Sequence, residues 1–290
     1  MDLPVVVGVD GSEESLRAVD WAAEEAALRG APLRMVYASL WERYEGSLIA
    51  QEVGKPAEEV MAADIMGAAE RRAHLHHPEL RVTTAVLADE PSFGLVNESS
   101  TARAMVLGCR GRNAVTELLL GSVSLAVAAH AHCPVIVLRG NPRKTAATAA
   151  PGRVVLGVAE KAAGSAAVRF AAEEAALRGL PLEAVRAWRR PAHSDTGHPL
   201  LAGGPAHAEE QEAAEALEDA LRDVPEGLEQ HRRTAEGHAR DVLVAASQDA
   251  ALLVVGARRR GGRFGLQLGR VAHGVLHHAA CPVAVVPETD

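Results

Sequence analysis

The stretch richest in chemistry reads Gly108-Cys109-Arg110-Gly111, then nine residues, then Gly121-Ser122. Two glycines three apart let the backbone approach a ligand closely and adopt positive φ. The third glycine stands just before a predicted helix, whose first N–H groups form an anion site. Ser122 and Ser124 add hydroxyl donors, and Arg110 and Arg112 add positive charge. Together these are the parts of a phosphate cradle. The pattern is not a Walker A loop, which requires G-x-x-x-x-G-K-[ST], nor is it G-x-G-x-x-G. A second group, Asp10-Gly11-Ser12, ends a run of valines. A carboxylate there can accept from ribose hydroxyls or hold a divalent cation that bridges phosphates. The plainer reading is that Asp10 and Ser12 only cap a helix and the glycines only serve turns.

The two groups meet only if the fold brings the ends of two strands together. Residues 5–9 are a short β-branched run, too continuous for a half-exposed strand and suited to a buried parallel one. Ser12 is placed to cap the next helix, with Glu13 and Glu14 in its positive first turn. That helix runs to Arg29 and stops at Gly30, with Pro32 beyond. Further strands are predicted at 33–38, 80–87, 104–107 and 134–138, with helices at 56–77, 91–100 and 122–130. A second series follows, with strands at 154–158, 182–188, 228–234, 252–255 and 283–286 and helices at 165–178, 205–223, 239–247 and 270–278. Strands alternating with helices imply right-handed βαβ crossovers and an open parallel sheet. Such a sheet binds ligands at the carboxyl ends of its strands, where strand order reverses. That points to the loops after the first and fourth strands, where the two groups lie.

The series repeats because the chain does. AVDWAAEEAALRG at 18–30 returns as AVRFAAEEAALRG at 167–179, and HAHCPVIVL at 130–138 returns as HAACPVAVV at 278–286. The spacing makes these two copies of one domain rather than short solenoid repeats. The expected boundaries are a first domain at 1–140, a linker at 141–152 and a second domain at 153–290. Half of a 290-residue chain can still bury a real core, and 48% hydrophobic residues exclude disorder.

Composition narrows the partners. Thirty Lys and Arg against 38 Asp and Glu give a formal charge of −8, which repels nucleic-acid backbones. Aromatics at 3% leave few platforms for base stacking. No apolar run approaches the ~20 residues that span a bilayer, and MDLPVVVGVD lacks the basic region of a signal peptide. Neither nucleic acid nor membrane is therefore an expected partner. Three cysteines make no disulfide framework, so a cytoplasmic location is the expectation.

The second copy has lost the pattern. Its aligned loop reads Gly256-Ala257-Arg258-Arg259-Arg260, then Gly269-Arg270-Val271-Ala272. Arg259 replaces Gly111, Arg270 replaces Ser122, Ala272 replaces Ser124, and Ala159 replaces Asp10. A non-Gly residue forced to positive φ costs on the order of 1 kcal/mol. A lost charge-assisted partner costs ~1.5–3 kcal/mol. Two or three such losses weaken binding by roughly 10²–10⁴. The second site is expected to be empty or weak. Arg258, Arg259, Arg260, Arg263 and Arg270 either grip a different anion or form a solvated loop.

Other chemistry-bearing residues have plainer readings. His74, His76 and His77, His130 and His132, and His277 and His278 cluster without the company that marks a metal site. Cys133 and Cys281 precede Pro at the start of buried strands and read as small core residues. Cys109, in the glycine loop, reads as packing or exposed filler more than as a reactive thiol. Trp21 and Phe170 occupy matching helix positions as core or interface residues, and the acidic run from Glu209 to Asp219 reads as a solvated helix face.

VVVGVDGS at 5–12, G-x2-G-x9-G-S at 108–122 and HAHCPV at 130–135 together resemble the universal stress protein family in a tandem two-domain form. The resemblance covers nearly the whole chain apart from the linker. It implies an α/β fold of two Rossmann-like domains, each a five-stranded parallel sheet of order 3-2-1-4-5 with helices on both faces. In one branch of the family it implies ATP binding with Mg2+. Carried over, Asp10 matches the acidic residue that contacts ribose and metal, and Gly8 and Val9 match the strand end beside the nucleotide. Ala38 matches the position whose backbone meets adenine. Gly108, Cys109, Arg110, Gly111 and Arg112 match the phosphate and ribose loop. Gly121, Ser122, Val123 and Ser124 match the grip on the terminal phosphate. Arg103 departs from the family, which usually carries Asp there.

The resulting expectation is an ATP-binding stress-response regulator for which no catalytic residue can be nominated. The alternatives are a slow ATPase or a nucleotidyl- or phosphoryl-transfer enzyme on the same fold, and a scaffold that dimerises and binds nothing. The halves are expected to pair as an intramolecular pseudo-dimer through strands 134–138 and 282–286, with a homodimer and an unidentified protein partner beyond that.

Overall fold

A computed structural model of the protein describes residues 2–40, 57–109, 120–139, 152–159, 164–190, 204–258 and 268–288. The chain divides into two compact units, Met1–Leu138 and Arg139–Asp290.

In the first unit, β1 (Val5–Gly8), α1 (Glu13–Leu28), β2 (Leu33–Ala38), α2 (Ala57–His76), β3 (Val82–Leu87), α3 (Pro91–Glu98), β4 (Ala104–Gly108), α4 (Ser122–His130) and β5 (Val135–Leu138) follow one another. The strands are parallel in the order β3-β2-β1-β4-β5. Val5, Val6 and Val7 are buried between β2 and β4, which is why the run is continuous rather than alternating. β3 stands outermost beside β2, and its Thr83, Thr84 and Val86 are exposed. The buried face of α1 is small: Ala18, Val19, Ala22, Ala23 and Ala26. Its first turn passes so close to β4 that a Cβ on Gly108 would lie 2.9 Å from the Glu14 carbonyl carbon.

The second unit repeats this order as β6 (Arg153–Gly157), α5 (Ala166–Arg178), β7 (Leu182–Trp188), α6 (Gly204–Leu221), β8 (Gln230–Glu236), α7 (Ala239–Ala246), β9 (Ala250–Arg258), α8 (Arg270–His278) and β10 (Val283–Glu288). The strands are again parallel, in the order β8-β7-β6-β9-β10. Each unit therefore has the α/β architecture read from the sequence and the 3-2-1-4-5 order that the family resemblance implied. On α6, Ala213, Leu217 and Ala220 are buried while Glu210, Glu212, Glu215 and Glu218 face solvent, as the acidic run implied.

Several boundaries differ from the sequence reading by one to three residues, β8 at both ends and the end of α6 among them. The predicted helix at 91–100 ends at Glu98 and tightens into a 3-10 turn, Ser99–Thr101, where Ser99 Oγ donates to the Val96 carbonyl at 2.6 Å. The strand predicted at 252–255 runs over Ala250–Arg258, because pairing with β10 overrides the poor strand propensity of Gly, Ala and Arg. β3 starts two residues later than predicted.

Candidate functional site

The register brings three strand ends level. Gly8 on β1 lies beside Val36 on β2, and Val7 lies beside Val106 on β4. Asp10, Ala38 and Cys109 therefore leave the sheet at the same edge. The Val9 amide still donates to the Val36 carbonyl at 2.8 Å, so the strand path holds to the last residue before Asp10. Gly11 then turns the chain with φ 80°. Asp10 Oδ1 accepts from the Ser12 amide at 2.9 Å and from Ser12 Oγ at 2.6 Å. Ser12 Oγ in turn accepts from the Ser15 amide at 3.1 Å as the N-cap of α1. The carboxylate is thus held by its own turn at the head of a helix with Glu13 and Glu14 in the first turn. The Asp10–Ser12 turn thus caps the head of α1, as the plainer reading expected.

On the other side of β1, the Gly121 amide donates to the Cys109 carbonyl at 2.8 Å and closes the base of the glycine loop. Gly121 is the N-cap of α4 and offers no side chain, so the first amides of α4 receive no side-chain cap. That is the arrangement in which a helix head takes an anion. Ser122 is exposed and Val123 half-buried. Ser124 is buried, and its hydroxyl donates to the Gly108 carbonyl at 2.7 Å. Its proton holds the loop start in place rather than pointing outward. Arg110, Gly111 and Arg112 lie outside the described residues.

Gly8 is hemmed in by Leu107, whose Cδ2 would lie 2.6 Å from an added Cβ. Beside Ala38, the Ser39 amide donates to the Leu87 carbonyl at 3.0 Å. A Cβ built on Gly94 of α3 would lie 3.7 Å from the Ala38 Cβ. α3 is set there by Glu90, a residue the sequence reading passed over. Its carboxylate is the N-cap of α3 and accepts from the Phe93 amide at 2.9 Å, while Pro91 opens the helix. Burial works to raise the Glu90 carboxyl, but hydrogen bonds from the Ser92 hydroxyl and the Phe93 and Ser92 amides outweigh it and lower it. The signal available in the sequence was an acidic residue directly before Pro-Ser. At its other end α3 is tied to β2 by Arg34, which donates to both Glu98 oxygens at 2.6 and 3.0 Å.

The α4 amides, without a side-chain cap from Gly121, are donors that suit a phosphate-bearing ligand, and the Asp10 carboxylate one strand away offers acceptor oxygens. Among the described residues no three His, Cys, Asp or Glu side chains gather as a metal-ligand set. A divalent cation here would need ligand oxygens besides Asp10.

The matching heads in the second domain differ. The Val158 amide donates to the Val185 carbonyl at 2.9 Å, as Val9 does to Val36, but Ala159 follows where Asp10 stands. Gly269 caps α8 without a side-chain bond, Arg270 is exposed, and buried Ala272 replaces the Ser124 hydroxyl. Arg259, Arg260 and Arg263 lie outside the described residues. A cavity of about 690 Å³ in this domain lies along α5, between Val168, Ala172, Val224 and Leu228, and does not include Val158, Gly269, Arg270 or Ala272.

Cys133 and Cys281 are buried, and burial pushes both thiols up to about 12. Both are core residues, as the sequence reading held. Cys109 is buried too, so it packs rather than fills an exposed position. Trp21 is half-buried and Phe170 buried. The Arg103 amide donates to the Pro4 carbonyl at 2.9 Å at the opposite edge of the sheet. His130 and His132 are exposed, His74 Nε2 lies 3.2 Å from the Leu80 carbonyl, and burial lowers His277, helped by the nearby His273.

The family model described as "Universal stress protein family" matches this chain twice, over residues 3–139 and 151–287. Universal stress protein Rv2005c of Mycobacterium tuberculosis is 33% identical over 311 residues, covering 98% of this chain and 97% of its own. A universal stress protein of Mycolicibacterium smegmatis is 31% identical, covering 97% and 96%. Among solved structures, a universal stress protein from Archaeoglobus fulgidus matches 99% of each chain with a TM-score of 0.68 at 15% identity, a likeness of fold.

Proposed function

The chain belongs to the universal stress protein family in tandem form, and from that premise we propose that its first domain binds one adenine nucleotide, ATP with Mg2+, and that its second domain binds none. The observation that carries this reading is the Asp10–Ser12 turn set level with an uncapped α4 head whose loop base is closed by the Gly121–Cys109 hydrogen bond. In this reading Asp10 meets the ribose and the cation, the backbone after Ala38 meets the base, and the amides at Ser122–Ser124 meet the terminal phosphates. Asp10 would hold Mg2+ in part, and the ion would neutralise phosphate charge. Arg110, Gly111 and Arg112 complete the grip from the loop. Nucleotide binding shifts the population of the domain's conformations, which a protein partner or a second copy reads. The protein is a nucleotide-dependent regulator in the cytoplasm.

The test is direct. Nucleotide released by denaturing freshly purified protein is identified and quantified against chain concentration. An adenine nucleotide approaching one per chain supports the reading. Protein that carries none, and whose thermal transition does not move on adding ATP and Mg2+, removes it, because saturation at about a hundred times Kd stabilises by ~2.7 kcal/mol.

A further inference from the structure

The two domains fill one equivalent space with different groups. In the first, α1 has reached its fifth residue, Arg17, at the position where α5 has its first, Ala166. The second domain's helix is therefore shorter at its head by about one turn. Gly164, with φ +65°, and the cap residue Ser165 stand where α1 is already helical. In the first domain the space over Gly108 holds the backbone of Glu14, 2.9 Å from where a Cβ would be. In the second, the space over Gly256 holds the Glu288 carboxylate, with Oε1 2.9 Å and Cγ 3.2 Å from the equivalent point. The same carboxylate accepts from the first two amides of α5: Ala166 N to Oε2 at 3.0 Å and Ala167 N to Oε1 at 3.0 Å. Ser165 Oγ takes the next available amide, Val168, at 3.3 Å. The first domain has Gly140 at the position matching Glu288 and so no carboxylate to offer.

We infer that the head of α5 is an oxyanion site occupied in cis by Glu288, whose carboxylate stands in for the lost helical turn. An oxyanion with two acceptor oxygens is what two adjacent helix amides and the positive end of the dipole select. The absence of a side chain at Gly256 leaves the space that the carboxylate occupies. The end of β10 is thereby tethered to the start of α5, and a negative charge sits beside the start of the loop that in the first domain would cradle phosphates. The second domain is closed to a polyphosphate by its own strand end, in addition to lacking Asp10, Ser122 and Ser124. This inference does not depend on the first domain binding nucleotide.

Removing the internal ligand leaves a site that a free oxyanion can enter, so the test is chemical rescue in the full chain. Glu288→Ala is expected to lower the thermal midpoint, on the order of 5 °C. Acetate or inorganic phosphate, compared with chloride at equal ionic strength and pH, recovers a large part of the drop. The recovery is scored as the difference from the parent protein in the same salt, so that anything the first domain binds cancels. Glu288→Gln, which keeps one acceptor oxygen without the charge, should fall between parent and Glu288→Ala. If phosphate rescues and acetate does not, the site takes phosphate oxyanions alone; if both rescue, it takes oxyanions generally. Either supports the inference. A variant that melts with the parent, or one whose loss neither anion reverses, overturns it.

Discussion

The two halves of this chain keep the same scaffold devices and differ in nearly everything at the site. In α1, Glu25 is fully buried and pairs with Arg29; in α5, buried Glu174 pairs with Arg178 at 3.0 Å. The Ser99 hydroxyl donates to the Val96 carbonyl and accepts from the His132 amide at 2.8 Å. Ser247 does the same between the Val244 carbonyl and the Ala280 amide, at 2.7 and 2.9 Å. At the strand ends the match stops. The Asp10–Ser12 turn, the Ser124–Gly108 bond and the Glu90 cap have no counterparts at Ala159, Ala272 and His238, the last an N-cap without a side-chain bond. The groups that hold the fold are present twice, and those that suit a ligand once. Ala159 and Ala272 stand where the first domain has Asp10 and Ser124, while the sheet beneath keeps the same order.

If that comparison is right, damage to the scaffold should cost both halves alike. Glu25→Ala and Glu174→Ala each leave a largely buried arginine without its carboxylate partner. Each is expected to destabilise its own domain by about 3 kcal/mol or more, read by urea unfolding. A large loss in one domain and none in the other would break the symmetry claimed for the scaffold. At the site the effect should be one-sided. Asp10→Asn keeps an acceptor for Ser12 but removes the charge, and should weaken ATP·Mg2+ binding roughly 10–100-fold with little change in stability. Ala159→Asp, its mirror, should gain no nucleotide in an equilibrium titration.

Much of this was legible in the sequence because it is written in periodic and repeated signals. The valine runs at 5–7 and 154–155, the AAEEAALRG helix ends and the Gly30 and Gly179 stops carry the architecture without help from the rest of the chain. The residues of the glycine loop and Asp10 could be nominated from spacing alone. What escaped depends on contacts distant in the chain. Gly256-Ala257-Arg258 has no strand signature and becomes strand only because β10 lies beside it. Ser124 reads as a ligand donor until its hydroxyl is seen spent on the Gly108 carbonyl. Glu288 lies 122 residues from Ala166, and no local pattern links a strand end to a helix head at that range.

Smaller effects sharpen the contrast further. Ser99→Ala and Ser247→Ala each orphan one backbone amide, His132 or Ala280, and should cost about 1–3 kcal/mol in the matching domain. Acid should act on the first domain through Glu90. Its carboxyl is lowered in the folded state, so its contribution is complete above the ordinary carboxylate pKa and is lost as pH falls through the lowered folded value. Glu90→Gln should flatten that part of the acid limb of first-domain stability, by on the order of 1 kcal/mol. The second domain, with His238 at the matching cap, should show no such limb from this position.

The central claim is one nucleotide site per chain, in the first domain. Calorimetric titration of nucleotide-stripped protein with ATP and Mg2+ tests it most directly. The account predicts a stoichiometry of one, with an affinity that Asp10→Asn lowers roughly 10–100-fold and Ala159→Asp leaves unchanged. A stoichiometry of two, or binding that survives Asp10→Asn undiminished, would contradict it.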